Sequence, residues 1–302
     1  MGRTLTALVL GSAAGGGFPQ WNCRCPTCRL AWAGDARVRP RTQASLAVTA
    51  DAENWVLINA SPDLPQQVRQ TKPLHPRGET RGSPIKAVLL TGAEIDQVAG
   101  LLSLREREPF LLCATAVTLA ALAENVMFGV LAADVVRRKA VVPAAPLVFP
   151  GGLQAQLFTV PGKVPLYLEG AEAESATETA TNVGVELYAG GARMVYIPGA
   201  AGVTAAMKAR MKEADVVFFD GTLFRDDEMI TTGTGAKTGR RMGHIPIGGD
   251  GGSLAALQGI SGRRIYVHIN NTNPVLIVGS PERAHVERNG WEIAEDGMEI
   301  AL

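Results

Sequence analysis

Three cysteines stand within six residues near the start of the chain, at Cys23, Cys25 and Cys28. Thiolates this close together can surround one soft metal ion, and a turn at Pro26 would fold them around it. Zinc is the usual occupant of such tetrahedral sulfur sites. The alternative is a group of free or adventitiously oxidised thiols. The spacing favours a zinc site to which these cysteines supply three ligands.

A fourth zinc ligand has to come from elsewhere in the chain. We expect it to be His268, because this residue stands at the end of a predicted strand, beside a polar stretch at residues 269–274. His244 and Cys113 are weaker candidates. With four protein ligands the ion would be structural, and it would hold the N-terminal loop against a distant strand.

The composition is that of a globular protein, since 46% of the 302 residues are hydrophobic and 19% are charged. Lys and Arg together number 29, as do Asp and Glu, so the formal net charge is zero. No nucleic-acid partner and no attraction to an anionic membrane surface are therefore expected. Three clustered cysteines and one isolated cysteine do not form a disulfide framework, which favours a reducing, cytoplasmic location.

Two apolar stretches need an interpretation. Residues 4–10 and the small residues after them resemble a short signal peptide, but the stretch is brief and leads directly into the cysteine cluster, so a first strand is expected. Residues 110–136 are interrupted by polar side chains, which excludes a membrane span there and predicts a buried pair of helices.

Short strands alternate with helices along the whole chain, and no linker divides it. Strands are predicted at residues 4–10, 45–48, 55–58, 87–90, 153–160, 183–188, 193–197, 216–219 and 264–268, and helices from about residue 98, at 203–212 and at 253–257. Because strands dominate both halves, we expect an α/β fold in which two mixed sheets pack face to face with helices outside. A single domain over residues 1–302 is expected.

Several longer stretches together are typical of one protein family. They lie at residues 11–23 (GSAAGGGFPQWNC), 39–43 (RPRTQ), 59–63 (NASPD), 160–165 (VPGKVP), 219–222 (FDGT), 241–244 (RMGH) and 267–274 (VHINNTNP). In composition and order they resemble the PqqB family of pyrroloquinoline quinone (PQQ) biosynthesis proteins. The resemblance covers essentially the whole chain.

This resemblance implies a metallo-β-lactamase-like αββα sandwich of two mixed sheets with outer helices. It also implies a role in making PQQ from a precursor peptide. Two roles are described for the family, an iron-dependent hydroxylase that acts on the tyrosine-derived part of the peptide and a carrier that moves PQQ or its precursor towards the periplasm. The implied partners are PQQ or the precursor peptide, and other PQQ biosynthesis proteins.

The resemblance further implies a metal site in a cleft, in a degenerate form. After the strand at residues 87–90 the superfamily carries the pattern His-x-His-x-Asp-His, and the matching residues here are Gly92, Glu94, Asp96 and Gln97. Only the aspartate is unchanged. An all-oxygen set of Glu94, Asp96 and Gln97 suits harder ions and weakens a bond to iron.

Two later residues match the same superfamily site. Asp220 stands at a strand end where the superfamily has a metal-bridging aspartate, and His244 resembles a histidine of the following motif. The candidate catalytic residues are therefore Asp96, Asp220, His244 and Glu94. Taken singly, a strand-end aspartate often caps a turn, and a histidine in a Gly-rich loop is often only exposed.

A ferrous ion held by Asp96, Asp220 and His268, with Glu94 or His244, would activate dioxygen for ring hydroxylation. His268 cannot easily serve two ions, and we assign it to zinc.

Two other functions remain open. A cleft that has lost its metal would serve a carrier, and Gly92 and Gln97 favour this interpretation. A hydrolase is the weakest of the three, because water activation in this fold normally uses the missing histidines.

Overall fold

The computed structural model of the protein describes residues 4–163 and 178–302, so Val164 and Pro165 of the VPGKVP stretch lie outside it. Within these ranges the strands are β1 (Thr6–Gly11), β2 (Ser45–Thr49), β3 (Trp55–Ile58), β4 (Ile85–Leu89), β5 (Leu111–Ala114), β6 (Arg137–Ala140), β7 (Pro146–Val148), β8 (Gln154–Pro161), β9 (Glu178–Ala189), β10 (Ala192–Ile197), β11 (Val216–Asp220), β12 (Arg263–Val267), β13 (Glu292–Ile293) and β14 (Glu299–Ala301). They form two seven-stranded sheets, in the orders β14-β1-β2-β3-β4-β5-β6 and β13-β12-β11-β10-β9-β8-β7.

Both sheets are mixed. In the first, β14, β1, β2 and β3 pair antiparallel, whereas β3 to β6 pair parallel. In the second, β7 to β10 pair antiparallel, and β10 to β13 pair parallel. Parallel strands require crossover connections, which here carry most of the helices.

The helices of the described residues are short. They are α1 (Pro26–Trp32), α2 (Leu64–Gln70), α3 (Ile95–Val98), α4 (Ala116–Glu124), α5 (Ala205–Lys212), α6 (Glu228–Thr231), α7 (Ser253–Ala256) and α8 (Pro281–Arg288), with 3₁₀ turns at Lys72–Leu74, Ala99–Leu104, Val126–Val130, Pro150–Gly152, Arg240–Met242 and Pro274–Leu276. None of them is long and apolar enough to cross a membrane.

The main core lies between the two sheets, where side chains such as Leu46 and Ile58 of one sheet meet Val185 and Phe218 of the other. Two further apolar clusters cover the outer faces of the sheets, beneath the helices. This explains why strands such as β2 are buried at every residue, rather than alternating between buried and exposed positions. The predicted αββα sandwich of two mixed sheets is confirmed.

Two local predictions are wrong. Residues 110–136 do not form a buried helix pair: they form β5, α4 and a 3₁₀ turn in which Val126 is 91% exposed. The helix prediction failed because β5 is a buried strand with a continuous apolar sequence. The periodicity of hydrophobic residues does not distinguish such a strand from a buried helix. The helix after β4 also begins at Ile95 rather than near Val98, so Asp96 lies in its first turn.

The fold brings several strand ends to one edge of the sandwich. Strand β11 ends in Asp220, β12 is followed directly by His268, and β4 leads through a short loop into α3. Because β11 and β12 are parallel neighbours with Asp220 paired to Val267, their carboxyl ends meet at the same place. Ligand sites of layered α/β proteins commonly form at such ends.

Candidate metal centres

The first candidate centre is a cleft at the ends of β11 and β12. Asp220, His244 and His268 each offer a ligand atom there, and these atoms lie within 4.8 Å of one another. His244 Nδ1 is 2.7 Å from Asp220 Oδ2, and the two imidazole rings stack with centroids 5.3 Å apart. Two imidazoles and one carboxylate form the donor set that non-haem ferrous sites use.

Asp96 and Thr222 hold these groups in place. His268 Nε2 is 2.9 Å from Asp96 Oδ2, and its Nδ1 is 2.8 Å from Thr222 Oγ1. Thr222 donates its hydroxyl proton to Asp220 Oδ1 at 2.6 Å, so its oxygen can only accept from the imidazoles. His268 therefore donates from both nitrogens and bridges the carboxylate of Asp96 to the hydroxyl beside Asp220. We name Asp96, Asp220, His244 and His268 the cleft site.

The ionisation of the cleft site follows from these contacts. Burial alone would raise the pKa of Asp96, but the hydrogen bond from His268 and the imidazole charges outweigh it and lower that pKa. Burial likewise opposes a lowered pKa at Asp220, which results from the charge and hydrogen bond of His244. Burial would lower the pKa of His268, yet Asp96 raises it. The cleft site thus favours carboxylates in their ionised form.

A cavity of about 590 Å³ opens onto the cleft site. Its wall combines the polar side chains of Lys163, Asn182 and Asn270 with the apolar ones of Met229 and Met242. This volume falls in the range of small-molecule pockets, which are mostly apolar with a few orienting polar groups.

The predicted motif after β4 is only partly directed at the cleft site. Glu94 and Gln97 form a capping box of α3, in which each side chain accepts a hydrogen bond from the other residue's backbone N–H. The carboxylate of Glu94 lies 3.9 Å from Lys163 Nζ and also lines the cavity. A Cβ on Gly92 would lie 2.5 Å from Gln97 Oε1, so the glutamine fills the space that a side chain at residue 92 would need.

The second candidate centre is the cysteine cluster, formed by Cys23, Cys25 and Cys28. The three sulfurs lie within 4.8 Å of one another. Sulfurs at the corners of a tetrahedron around zinc are roughly 3.8 Å apart, because a Zn–S bond is about 2.3 Å long. The side-chain amide of Asn271 meets all three, with Nδ2 at 3.2 Å from Cys23 Sγ and 3.3 Å from Cys28 Sγ. The donor set and its spacing fit a zinc ion.

Two thiols of the cluster, Cys25 and Cys28, have pKa values shifted in opposite directions. The hydrogen bond from Cys28 lowers the pKa of Cys25 to about 5, against the opposing effect of burial, with help from Thr27. The same contact with Cys25, together with burial, raises the pKa of Cys28. One thiolate is therefore present at neutral pH, which prepares the cluster to bind a cation.

His268 does not join the cysteines as expected. Its backbone has φ +61°, a left-handed conformation that turns the ring into the cleft, while Asn271, three residues later, faces the sulfurs. His244 and Cys113 also lie apart from the cluster, His244 in the cleft and Cys113 in the core between the sheets. His268 therefore lies with Asp220 and His244 in the cleft and apart from the three sulfurs.

Sequence reasoning missed Asn271 and Thr222. Asn271 stands in the polar stretch after His268, and Thr222 stands two residues after Asp220. Both residues lie just beyond the end of a buried strand, and this position could have indicated that they contribute to a site. Of the four predicted catalytic residues, Asp96, Asp220 and His244 meet in the cleft, and Glu94 caps α3 at its rim.

A buried carboxyl, Glu228, supports the cleft wall. It accepts hydrogen bonds from Thr272 Oγ1 at 2.7 Å and from the backbone of Phe224 at 2.8 Å, and it precedes Met229 of the cavity. Burial raises the pKa of Glu228 from 4.5 to about 7. Between these pH values the folded protein keeps a proton that the unfolded chain has lost, so stability falls as the pH rises through this window.

Glu228→Gln is expected to remove this dependence. The difference between the two pKa values corresponds to about 3 kcal/mol. From about pH 4 to about pH 8, the free energy of unfolding of the variant should therefore rise by about that amount relative to the wild type. Urea unfolding across this range measures the difference, with Glu106→Gln at an exposed site as the control. Parallel pH curves for wild type and Glu228→Gln would contradict the expectation.

Comparisons with known proteins identify the family of the chain. Residues 54–269 match the family model of the beta-lactamase superfamily domain. A coenzyme PQQ synthesis protein B from Methylorubrum extorquens is 56% identical over 296 residues, which cover 98% of this chain and 99% of that protein. The crystal structure of a zinc-bound PqqB from Methylobacterium extorquens has a TM-score of 0.97 at 56% identity and covers 98% of this chain and 100% of that one.

A more distant solved structure, a diphosphatase from the PhnP family, has a TM-score of 0.70 at 18% identity, with 100% of this chain and 98% of that one covered. At that identity the likeness extends to the fold alone. The full-length identity to the coenzyme PQQ synthesis proteins is far higher. The chain therefore belongs to the PqqB family of the β-lactamase superfamily.

Proposed function

We propose that the protein acts in PQQ biosynthesis as a metal-dependent hydroxylase of the tyrosine-derived part of a precursor peptide. The observation that carries this proposal is the convergence of Asp220, His244 and His268 within 4.8 Å at the mouth of a cavity. Two histidines and one carboxylate leave coordination positions open for dioxygen and substrate at a ferrous ion. With His268 in the cleft, the site includes imidazole nitrogen as well as oxygen, which suits iron better than the all-oxygen set.

The residues of the cleft have separable tasks in this proposal. Asp220, His244 and His268 would hold the ion, which supplies the activation of dioxygen. In the structure His268 Nε2 contacts Asp96 and Nδ1 contacts Thr222. To bind the ion, one of these nitrogens would lose its proton and exchange its hydrogen bond for the metal, and the partner of the other nitrogen would orient the ring. Such outer contacts orient metal-bound histidines and tune their basicity.

The cavity wall would position the substrate. Met229 and Met242 offer a polarisable apolar surface to an aromatic ring, and Asn270 offers an amide to its polar substituents. Ring contacts with methionine sulfur are favourable by about 0.3–1.5 kcal/mol each.

We propose zinc as the resident ion of the cysteine cluster, with Asn271 beside the fourth position. The relative of 56% identity was crystallised in a zinc-bound form, and the sulfur spacing here fits the same ion. The ion would have a structural role, since Cys25 and Cys28 are buried. We further propose a cytoplasmic location as one domain, where the protein meets the precursor peptide and other PQQ biosynthesis proteins. The four reduced cysteines support this location.

A carrier that binds PQQ or its precursor for transport to the periplasm is the alternative. The loop at residues 92–97 supports it, because Gln97 caps α3 and packs against Gly92 where the superfamily has metal-binding histidines. A protein that only binds its ligand needs the cavity and not the ion.

Oxygen uptake distinguishes the two functions. The protein is reconstituted anaerobically with Fe²⁺ and mixed with a peptide that contains tyrosine or dihydroxyphenylalanine. Ascorbate is added as the two-electron reductant that converts the second oxygen atom to water, and oxygen consumption above the ascorbate background is followed after exposure to air. A hydroxylase consumes oxygen only with both iron and peptide present. Tight binding of PQQ without oxygen uptake, and without iron retained in the cleft, would reject the hydroxylase and support the carrier.

A further inference from the structure

The segment that carries the cysteine cluster also exposes two tryptophans. Trp21 is 83% exposed and Trp32 is 56% exposed, whereas Trp55 and Trp291 are each only 2% exposed. The arginines Arg24 and Arg29 are exposed in the same segment. When a partner covers an exposed tryptophan, a large apolar area is removed from water, and this favours binding. We name Trp21, Arg24, Arg29 and Trp32 the tryptophan–arginine surface.

These four residues surround one point of the backbone. The indole Nε1 of Trp32 donates to the carbonyl oxygen of Cys23 at 3.0 Å, and Trp21 and Arg24 flank Cys23 in the chain. Arg29 precedes Trp32 by three residues in α1, so both project from one side of the helix. The four exposed residues therefore lie within one twelve-residue segment around Cys23.

The patch is held rigidly from beneath. Asn271 Nδ2 contacts the sulfurs at both ends of the 23–28 turn, Cys23 and Cys28, and Cys23 N donates to Gln20 O at 3.0 Å. Phe18 and Arg41 exchange two backbone hydrogen bonds that tie the preceding residues to the next loop. A surface whose backbone is already ordered loses little entropy when a partner binds.

The charge of the patch is uncompensated. No Asp or Glu precedes Asp35 in the sequence, and Asp35 is already bound by Arg37 through two hydrogen bonds of 3.0 and 2.8 Å. Across the part of the chain that the structure describes, neither Arg24 nor Arg29 forms an ion pair. Trp and Arg together are the residue types that dominate binding energy at protein interfaces.

We propose that the tryptophan–arginine surface docks an acidic segment of a partner protein. A second copy of this chain is a poor occupant, since a twofold contact would bring Arg24 and Arg29 of both copies together. A membrane surface is a poorer match than a protein, because the patch has only two cations and no exposed aliphatic stripe. The inference does not depend on which reaction the cleft performs.

The surface lies close to the cleft along the chain. Gly15 lines the cavity, and a Cβ built on it would be 3.7 Å from the Asp96 carboxylate. The six residues from Gly15 to Trp21 span at most about 20 Å. A partner bound at the patch is thus placed to deliver the ligand of the cleft or to collect its product.

The probe for this proposal is a fluorescein-labelled twelve-residue peptide of alternating Glu and Leu, with a Lys and Leu peptide for comparison. Anisotropy should show binding of the acidic peptide alone, weakened about tenfold or more in Trp21→Ala and in the double variant Arg24→Glu, Arg29→Glu. Binding should also protect the exposed tryptophans from quenching by acrylamide. The double variant Arg69→Glu, Lys86→Glu changes the net charge equally at other exposed sites and should bind as the wild type does.

Three results would overturn the proposal. The first is a failure of specific peptide binding, seen either as no binding to the wild-type protein or as equal weakening by both double variants. The second is a dimer, seen by sedimentation velocity, that dissociates in Trp21→Ala. The third is binding to phosphatidylglycerol vesicles through the same residues without binding to the peptide. Unchanged zinc content in each variant establishes that the cysteine cluster remains intact.

Discussion

Cys25→Ser is expected to abolish zinc binding at the cysteine cluster and to destabilise the fold. Cys25 is the thiol whose pKa is lowered to about 5, and its sulfur also contacts Thr27 and the backbone of Asn271. A ligand present at a thousand times its Kd stabilises the folded state by about 4 kcal/mol, so loss of the ion should cost at least about that much. Metal analysis and urea unfolding measure the two effects.

Cys113→Ser is the matched control, because Cys113 is also buried but lies in the core between the sheets, apart from the cluster. It should keep its zinc and lose only about 1–3 kcal/mol, the usual result of placing an unsatisfied hydroxyl in an apolar site. Zinc retained in Cys25→Ser at wild-type stoichiometry would show that the ion is held elsewhere.

Asp220→Asn is expected to remove iron from the cleft and, with it, iron-dependent oxygen consumption. The Asp220 carboxylate is fully buried and contacts His244, Thr222 and the backbone of Ala200. Replacing outer partners of metal ligands typically costs about 10–100-fold in affinity or activity, so loss of a ligand should exceed that range. Thr222→Val, which removes only an outer hydroxyl, should fall within it.

Iron content after anaerobic reconstitution and the kcat of oxygen uptake are the measurements for this prediction. Asp134→Asn is a suitable control, because that carboxylate is exposed and pairs with Arg107 away from the cleft. If Asp220→Asn retained iron and turned over at the rate of Thr222→Val, Asp220 would not be a ligand.

The sandwich was predictable because its signals are local. Runs of buried residues, with turns between them, identify strands without any knowledge of their partners, and Asp220 could be placed at a strand end for that reason. The cysteine cluster was equally predictable, since its three cysteines lie within six residues. Close spacing in sequence leaves few ways to separate such groups in space.

The fourth group of the cysteine cluster was not predictable in this way. His268 does follow a buried strand, and it does lie near the cysteines along the fold, but its left-handed backbone decides which way its ring points. Non-glycine residues adopt that conformation rarely, and no sequence pattern around His268 predicts it. The side-chain amide of Asn271, and not the imidazole of His268, is directed at the sulfurs.

The loop after β4 shows a different limit. A motif match assigns each residue to a metal, whereas Glu94 and Gln97 satisfy the free N–H groups of α3 instead. Of the motif residues, Asp96 is the one whose side chain forms a hydrogen bond with a histidine of the cleft, His268. Whether a polar side chain serves a helix end or a cleft depends on where the helix begins, which sequence patterns locate poorly.

His268 and Asn271 occupy the two ends of one tetrapeptide, so the cleft and the thiols share a single short length of main chain. Ile269 between them is pinned by backbone hydrogen bonds to Ser12 and Ala14. Neither end can shift without displacing the other. Oxidation of the sulfurs would therefore shift this main chain and displace the imidazole of His268. The activity of the cleft would be lost although no residue of the cleft had been oxidised.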